Sequence, residues 1–414
     1  MADLLIVLPE HSLDAAIIER AKRNLVNRFS ATNIAFGSVS DDADVIVYFE
    51  GVVIPDRPWR PEQRIYRYLW SVFSWGGRGA LRKVHPTTYT KEEYPEIDRH
   101  IFNRLGHHQH GFVYFPYGTL YHDAEMGGIN EFGFRAQFDP DALINRPAHH
   151  KLIVIFGGSA AFSVHCNEFE MFSARLQALL DERDWKIAPK PIFTVLNFGM
   201  HDYVMFQEMI TYLLFAQKLR PDVVISHSGH NELWYGLRND HHFVGQHGIV
   251  YQAHHEKWAE LIHAWPHEHA SNELPLELNM PHVVLKAALE RIRQVRDVVQ
   301  ASGGAFIWGL QPLLEGKGAL HPVEQSYLDS FESVFAQLPR RRKFYSYILR
   351  LMNALSAAAP DVRDLRVVDV HGAFGSFGAD RELLWDHVHT SPQGDQEIAS
   401  LYCGAVARIL EGDR

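Results

Sequence analysis

The chain has 414 residues, 46% of them hydrophobic, 12% aromatic and 22% charged, which is the make-up of a soluble globular protein with ample core material and excludes a disordered chain. A formal charge of −10 removes the clustered cationic excess by which nucleic-acid binding announces itself, so no nucleic-acid partner is expected. No apolar run approaches the roughly 20 residues needed to cross a bilayer, and no membrane span is expected.

From the N-terminus, "DLLIVLP" (3–9) predicts a buried strand, the spacing over 13–29 predicts a helix, and "DADVIVYFEG" (42–51) predicts a second strand. Residues 58–121 are punctuated by Pro and Gly and give no clear element. Beyond residue 150 the alternation is regular. Apolar runs at "KLIVIF", "IFTVLNF", "DVVISH", "AFIWGL" and "LRVVDV" alternate with helical stretches at 168–183, 207–218 and 282–301. Strands without a polar side must be covered on both faces, which predicts a doubly wound α/β domain with a parallel sheet. Ligands in such sheets sit beyond the C-terminal strand ends, so those positions are the ones that matter for function.

After the first run stands Gly157-Gly158-Ser159: the glycines permit a tight turn, and Ser159 fits either a nucleophile or a simple helix cap. The second run ends at Asn197-Phe198-Gly199, where a glycine admits a ligand close to the main chain. The third ends at Gly229-His230-Asn231-Glu232, with Asn231 offering an amide donor or serving only as a turn former. Near the C-terminus "LLWDHVHTSPQG" sets Asp386 three residues before His389 and just ahead of a Ser-Pro helix start. That spacing lets a carboxylate hold an imidazole in one tautomer and stabilise its protonated form.

In order along the chain, these four blocks resemble those of the SGNH hydrolase superfamily, the GDSL esterases and lipases, over roughly residues 126–410, with "GINEFGFRA" (128–136) and "LQPLLEGKG" (310–318) adding to the likeness. Gly158 and Glu232 stand where the family pattern has Asp. The resemblance implies a flavodoxin-like doubly wound parallel sheet of the SGNH type at 126–414; outside it, the strand-helix-strand pattern predicts an accessory α/β region at 1–125, and residues 233–281, which mix Trp and His without a strand pattern, read as an insertion that would cap the site. It implies a catalytic Ser159, His389 and Asp386, an oxyanion hole from Ser159, Gly199 and Asn231, and substrate contacts at Gly158, His230 and Glu232. The implied reaction is hydrolysis of an acyl ester of a carbohydrate or other small molecule; an O-acyltransferase would use the same residues, and a non-catalytic binding protein would retain the fold alone.

Two cysteines, Cys166 and Cys403, make no disulfide framework, and with no signal-peptide pattern at residue 1 they predict a cytoplasmic setting. Of the 26 histidines, nine gather at 107–110, 241–242, 254–255 and 267–269, adjacent or one residue apart, a spacing that points rings apart rather than at one ion, and neither a metal nor an organic cofactor is expected. The basic run Arg340 to Lys343 predicts a solvated helix end rather than a binding patch.

Overall fold

The computed structural model describes residues 130, 134–163, 166, 169–200, 203–238, 280–336 and 339–412, and before residue 130 a set of strands with a few isolated positions. The chain divides into two compact units, residues 1–113 with 326–334 and residues 114–325 with 335–414. The division falls ahead of the boundary expected at 125.

The first unit holds a five-stranded sheet of β1 (Asp3–Val7), β2 (Asn33–Phe36), β3 (Val45–Phe49), β4 (Arg64–Leu69) and β5 (Ala80–Lys83), in the order β2-β1-β3-β4-β5. Its first four strands are parallel and β5 runs antiparallel to β4. The two strands expected from "DLLIV" and "VIVYF" are central here, with Ile6, Val45, Ile46 and Val47 fully buried. β2, β4 and β5 were not apparent in the sequence. The helix expected over 13–29 lies mostly outside the described residues. A further pair, β6 (Phe112–Phe115) and β7 (Gly118–Tyr121), follows.

The second unit is built on β8 (His150–Gly157), β9 (Ile192–Asn197), β10 (Val223–Ser228), β11 (Ala305–Leu310) and β12 (Arg366–Asp369), in the order β12-β11-β10-β8-β9 and parallel throughout. All five apolar runs became strands, and the doubly wound parallel sheet is the one expected. The central strands bury nearly every residue, Ile153 to Ile155 and Val223 to Ile225 among them, because helices cover both faces. The edge strands β9 and β12 retain polar, partly exposed positions. The helix after β8 is shorter than the 168–183 expected, spanning Phe172–Glu182, whereas Pro281–Ala301 matches its prediction closely. The stretch from 205 is α-helical only to Thr211 and continues as a π-turn over Tyr212–Ala216.

Residues 233–238 are not part of an insertion: they complete the helix His230–Arg238 that leaves β10. Residues 239–279, the rest of that expected cap, lie outside the described residues, as do the four histidine clusters. The Arg340 to Lys343 run falls in the first turns of the helix Pro339–Ala358. Among the described residues no helix is long and apolar enough to cross a membrane.

The strand order reverses between β8 and β10, since β9 lies outside β8 and β11 outside β10. In open α/β sheets that crevice, at the C-terminal strand ends, is where ligands bind. Ser159 and Asn231 leave from those two strands.

Candidate active site

Gly157 closes β8 with φ +149, and any Cβ there would lie 2.1 Å from the His227 carbonyl of β10. Only glycine can bring the two strand ends that close. Gly158 follows as the N-cap of the short helix Ser159–Phe162, and its missing side chain is filled by the Asn231 amide, which would stand 2.4 Å from a Cβ. Ser159 is therefore the first helical residue rather than its cap. Its N–H has no acceptor within the helix, and its side chain is half-buried.

The Ser159 Oγ lies 2.6 Å from His389 Nε2, and His389 Nδ1 lies 2.7 Å from Asp386 Oδ2. Asp386 is fully buried, and its second oxygen accepts from the backbone N–H groups of Val388 and His389, both at 2.8 Å. The carboxylate thus holds both the imidazole and the turn that carries it. The Trp385 N–H closes that turn on the His389 carbonyl at 2.8 Å. Just beyond, Ser391 caps the helix Pro392–Glu411 by accepting from Gly394 N–H, as the Ser-Pro signal predicts.

Asn231 donates one Nδ2 hydrogen to the Tyr203 carbonyl at 2.9 Å, which fixes the amide and leaves the second hydrogen for a ligand. Gly199 does not fit its expected role. Its N–H donates to Asn197 Oδ1 at 2.8 Å, and so is already engaged as a donor. Asn197 Nδ2 reaches on to the Ala161 carbonyl at 2.8 Å, so this asparagine stitches the end of β9 to the Ser159 helix. The neighbouring Met200 N–H is bound to the Gly157 carbonyl. Residues 201–202 lie outside the described set.

Glu232 also departs from expectation. It is 2% exposed, and its two oxygens accept the N–H groups of Met205 and Gly229, so it ties the β10 turn to the 203–205 segment and has no oxygen to offer a substrate. Burial raises its pKa. Beside it Glu208, itself buried, is pushed up to about 8 by burial and by the Glu232 carboxylate, against the opposing hydrogen bonds of Ser226 and Ser228. Gly158 makes room for Asn231 as described. His230 is buried at 1% exposure, which lowers its pKa to about 3 with the adjacent His387 adding to the effect, and its Nδ1 stands 3.4 Å from Asn231 Oδ1.

Three supports carry no sequence signal. Buried Arg135 donates to the carbonyls of Phe162 and Ser163 at 3.1 and 2.9 Å and of Cys166 at 3.0 Å, gripping the far end of the Ser159 helix. Buried Glu324 pairs with Lys317 and accepts from Leu383 and Leu384 N–H at 2.8 and 3.0 Å, anchoring the loop that leads to Asp386. Asp395, pushed up to about 6 by burial, accepts from Thr390 Oγ1 and from Phe172 N–H, joining the residue after His389 to the helix Phe172–Glu182. A single charged residue whose partners are distant backbone groups leaves no pattern to read. Only "GFRA", within the flank that carried the resemblance, marked Arg135 at all.

The parallel sheet in this order carries Ser159, Asn231 and the Asp386–His389 turn at its C-terminal edge. The fold is a doubly wound α/β sheet in the flavodoxin-like order β12-β11-β10-β8-β9. No family model matches the chain, and no curated protein matches it. Solved structures similar to it include the acetyl xylan esterase AlAXEase, at 12% identity and a TM-score of 0.37 over 62% of this chain and 99% of that one. An acetylxylan esterase from Geobacillus stearothermophilus, Axe2, matches at 15% identity and a TM-score of 0.33, over 62% of this chain and 94% of its own. A lipolytic protein assigned to the G-D-S-L family, from Desulfitobacterium hafniense, matches at 13% and 0.34, over 63% and 99%. Superpositions of that quality carry no functional weight, which rests on the side chains. Among the described residues no group of three His, Cys, Asp or Glu side chains is disposed to hold a metal.

Proposed function

We propose that this protein is a serine esterase that cleaves a short acyl ester of a carbohydrate or other small molecule through an acyl-enzyme. One observation carries the reading: the unbroken chain from Ser159 Oγ through both nitrogens of His389 to buried Asp386, at 2.6 and 2.7 Å. Those lengths are hydrogen bonds of the kind a base needs to take a proton from a nucleophile while a third group holds it.

His389 Nε2 takes the Ser159 proton as Oγ bonds to the acyl carbon, and the carbonyl π pair moves onto oxygen. Asp386 stabilises the imidazolium and remains ionised. The oxyanion is met by the Ser159 N–H and the unused Asn231 Nδ2 hydrogen, without Gly199. Collapse expels the alcohol, whose oxygen takes the proton from His389. Water then adds to the acyl-enzyme, giving its proton to His389, and collapse returns that proton to Ser159 as the carboxylic acid leaves.

Hydrolysis of p-nitrophenyl acetate, butyrate and octanoate by wild type and Ser159→Ala tests the reading, with circular dichroism to verify both folds. The expected outcome is turnover that favours the shortest chain and drops on the order of 10⁴-fold or more in the variant. Equal turnover in the two proteins would remove Ser159 from the chemistry.

A further inference from the structure

Beside the triad, four rings form a closed circuit. His230 and Trp234 have centroids 5.6 Å apart, Trp234 and Tyr345 5.2 Å, Tyr345 and His387 5.0 Å, and His387 and His230 5.8 Å. His230 and Trp234 belong to the helix that bears Asn231, Tyr345 belongs to the helix Pro339–Ala358, and His387 lies in the turn that bears Asp386 and His389. Trp234 and Tyr345 keep part of their surface open to solvent, whereas the imidazoles are buried. Glu315, on the turn after β11, sets a carboxylate oxygen 2.7 Å from His387 Nδ1. His230 Nε2, deep in the wall, makes no hydrogen bond to any of the described residues.

We propose that this wall is the subsite for the alcohol half of the substrate, and that the alcohol it takes is a pyranose ring. The inference rests on the esterase reading and narrows its substrate. The departing oxygen must collect its proton from His389, so the alcohol half passes the 386–389 turn, where the wall ends at His387. A pyranose has apolar C–H faces and a hydroxyl rim. Partly exposed Trp and Tyr rings offer flat apolar area at low entropic cost, and the imidazoles and the carboxylate behind them supply polar partners for the rim. A simple acyl chain would gain nothing from three polar groups in its wall and would leave them without water. A hydroxyl donated to His230 Nε2 would satisfy a buried acceptor, and sites of that kind discriminate strongly against ligands lacking the group. Burial keeps His230 neutral above about pH 3, so it stays an acceptor at working pH.

The test is a selectivity ratio: kcat/KM for methyl 6-O-acetyl-glucopyranoside, which keeps its other ring hydroxyls free, divided by kcat/KM for ethyl acetate, whose alcohol part has no ring. The ratio in wild type should exceed one. It should fall about tenfold in Trp234→Ala and in Tyr345→Leu, and measurably in Glu315→Gln, which replaces the carboxylate beside His387. Being internal to each protein, the ratio does not depend on the folded fraction. As a second readout, methyl glucopyranoside should show saturation-transfer NMR contact with Ser159→Ala protein and lose it when Trp234→Ala is added. A ratio unchanged across the variants, in protein that a fluorophosphonate labels at Ser159, overturns the subsite and leaves the esterase standing. No labelling and no hydrolysis of either ester overturns both.

Discussion

Asn231 and Glu232 sit side by side on one helical turn and grip the same stretch of chain, Asn231 through the Tyr203 carbonyl and Glu232 through the Met205 N–H. The first holds the proposed oxyanion donor and the second holds its platform. Asn231→Ala should stay folded and lose about 10²–10³ in kcat, with KM for a short ester little changed, since the lost bond forms in the transition state; a change in KM alone would assign Asn231 to ground-state binding. The carboxyl pair below has its own signature. Glu208 is pushed up to about 8 by burial and by Glu232. Its unfolded value is near 4.3, so across that window unfolding releases a proton and rising pH favours the unfolded chain. The stability Glu208 contributes is therefore fully present below about pH 4.3, falls as pH rises, and is lost above about pH 8. Urea unfolding of wild type and Glu208→Gln from pH 5 to 8 should show the variant gaining on wild type by at most about 1.4 kcal/mol per pH unit, and parallel curves would place an ionised carboxylate in the fold. Ser159, Asn231, Asp386 and His389 were legible because each is a chemically capable residue just past an apolar run or in a Asp-x-x-His step. Gly199 and Glu232 misled because spacing records where a residue stands and not which partner has already taken its polar atoms.

Elements bring these residues together, and the short helix Ser159–Phe162 needs the most help. It has one turn, and its last carbonyls end inside the protein, where Arg135 meets them with two nitrogens. Arg135→Met leaves those buried acceptors unsatisfied and should cost on the order of 3 kcal/mol in urea unfolding. A loss below about 1 kcal/mol would mean that water replaces the guanidinium without penalty. Strands β8, β10 and β11 were legible because burial on both faces forces an uninterrupted apolar run. β2 and β5, each of 4 residues, are too short to establish a period against their surroundings. The start of the expected insertion was misplaced because Leu233 to Arg238 carry Trp and Tyr on a helix that packs against other helices, and aromatic content does not separate a cap from a core.

On the scale of the whole molecule, every side chain assigned to chemistry or to its support comes from residues 135–395, within the second unit. Residues 1–113 supply none of those side chains. A chain beginning at residue 114 should still react with a fluorophosphonate at Ser159, and loss of reaction in a truncated protein with native circular dichroism would make the N-terminal sheet part of the site. The first unit was only half legible: two of its buried central strands stood out, while the segment between residues 58 and 121 alternates aromatics with Pro and Gly and carries no period. The proposed chemistry depends on the contact of Ser159 with His389 making a nucleophile. Intact-mass and peptide analysis of wild type, Ser159→Ala and His389→Ala after treatment with a fluorophosphonate tests it most directly. One stoichiometric adduct is expected on the Ser159 peptide of wild type, none in Ser159→Ala, and labelling slowed by orders of magnitude in His389→Ala. An adduct on another residue, or labelling of His389→Ala at the wild-type rate, would contradict it.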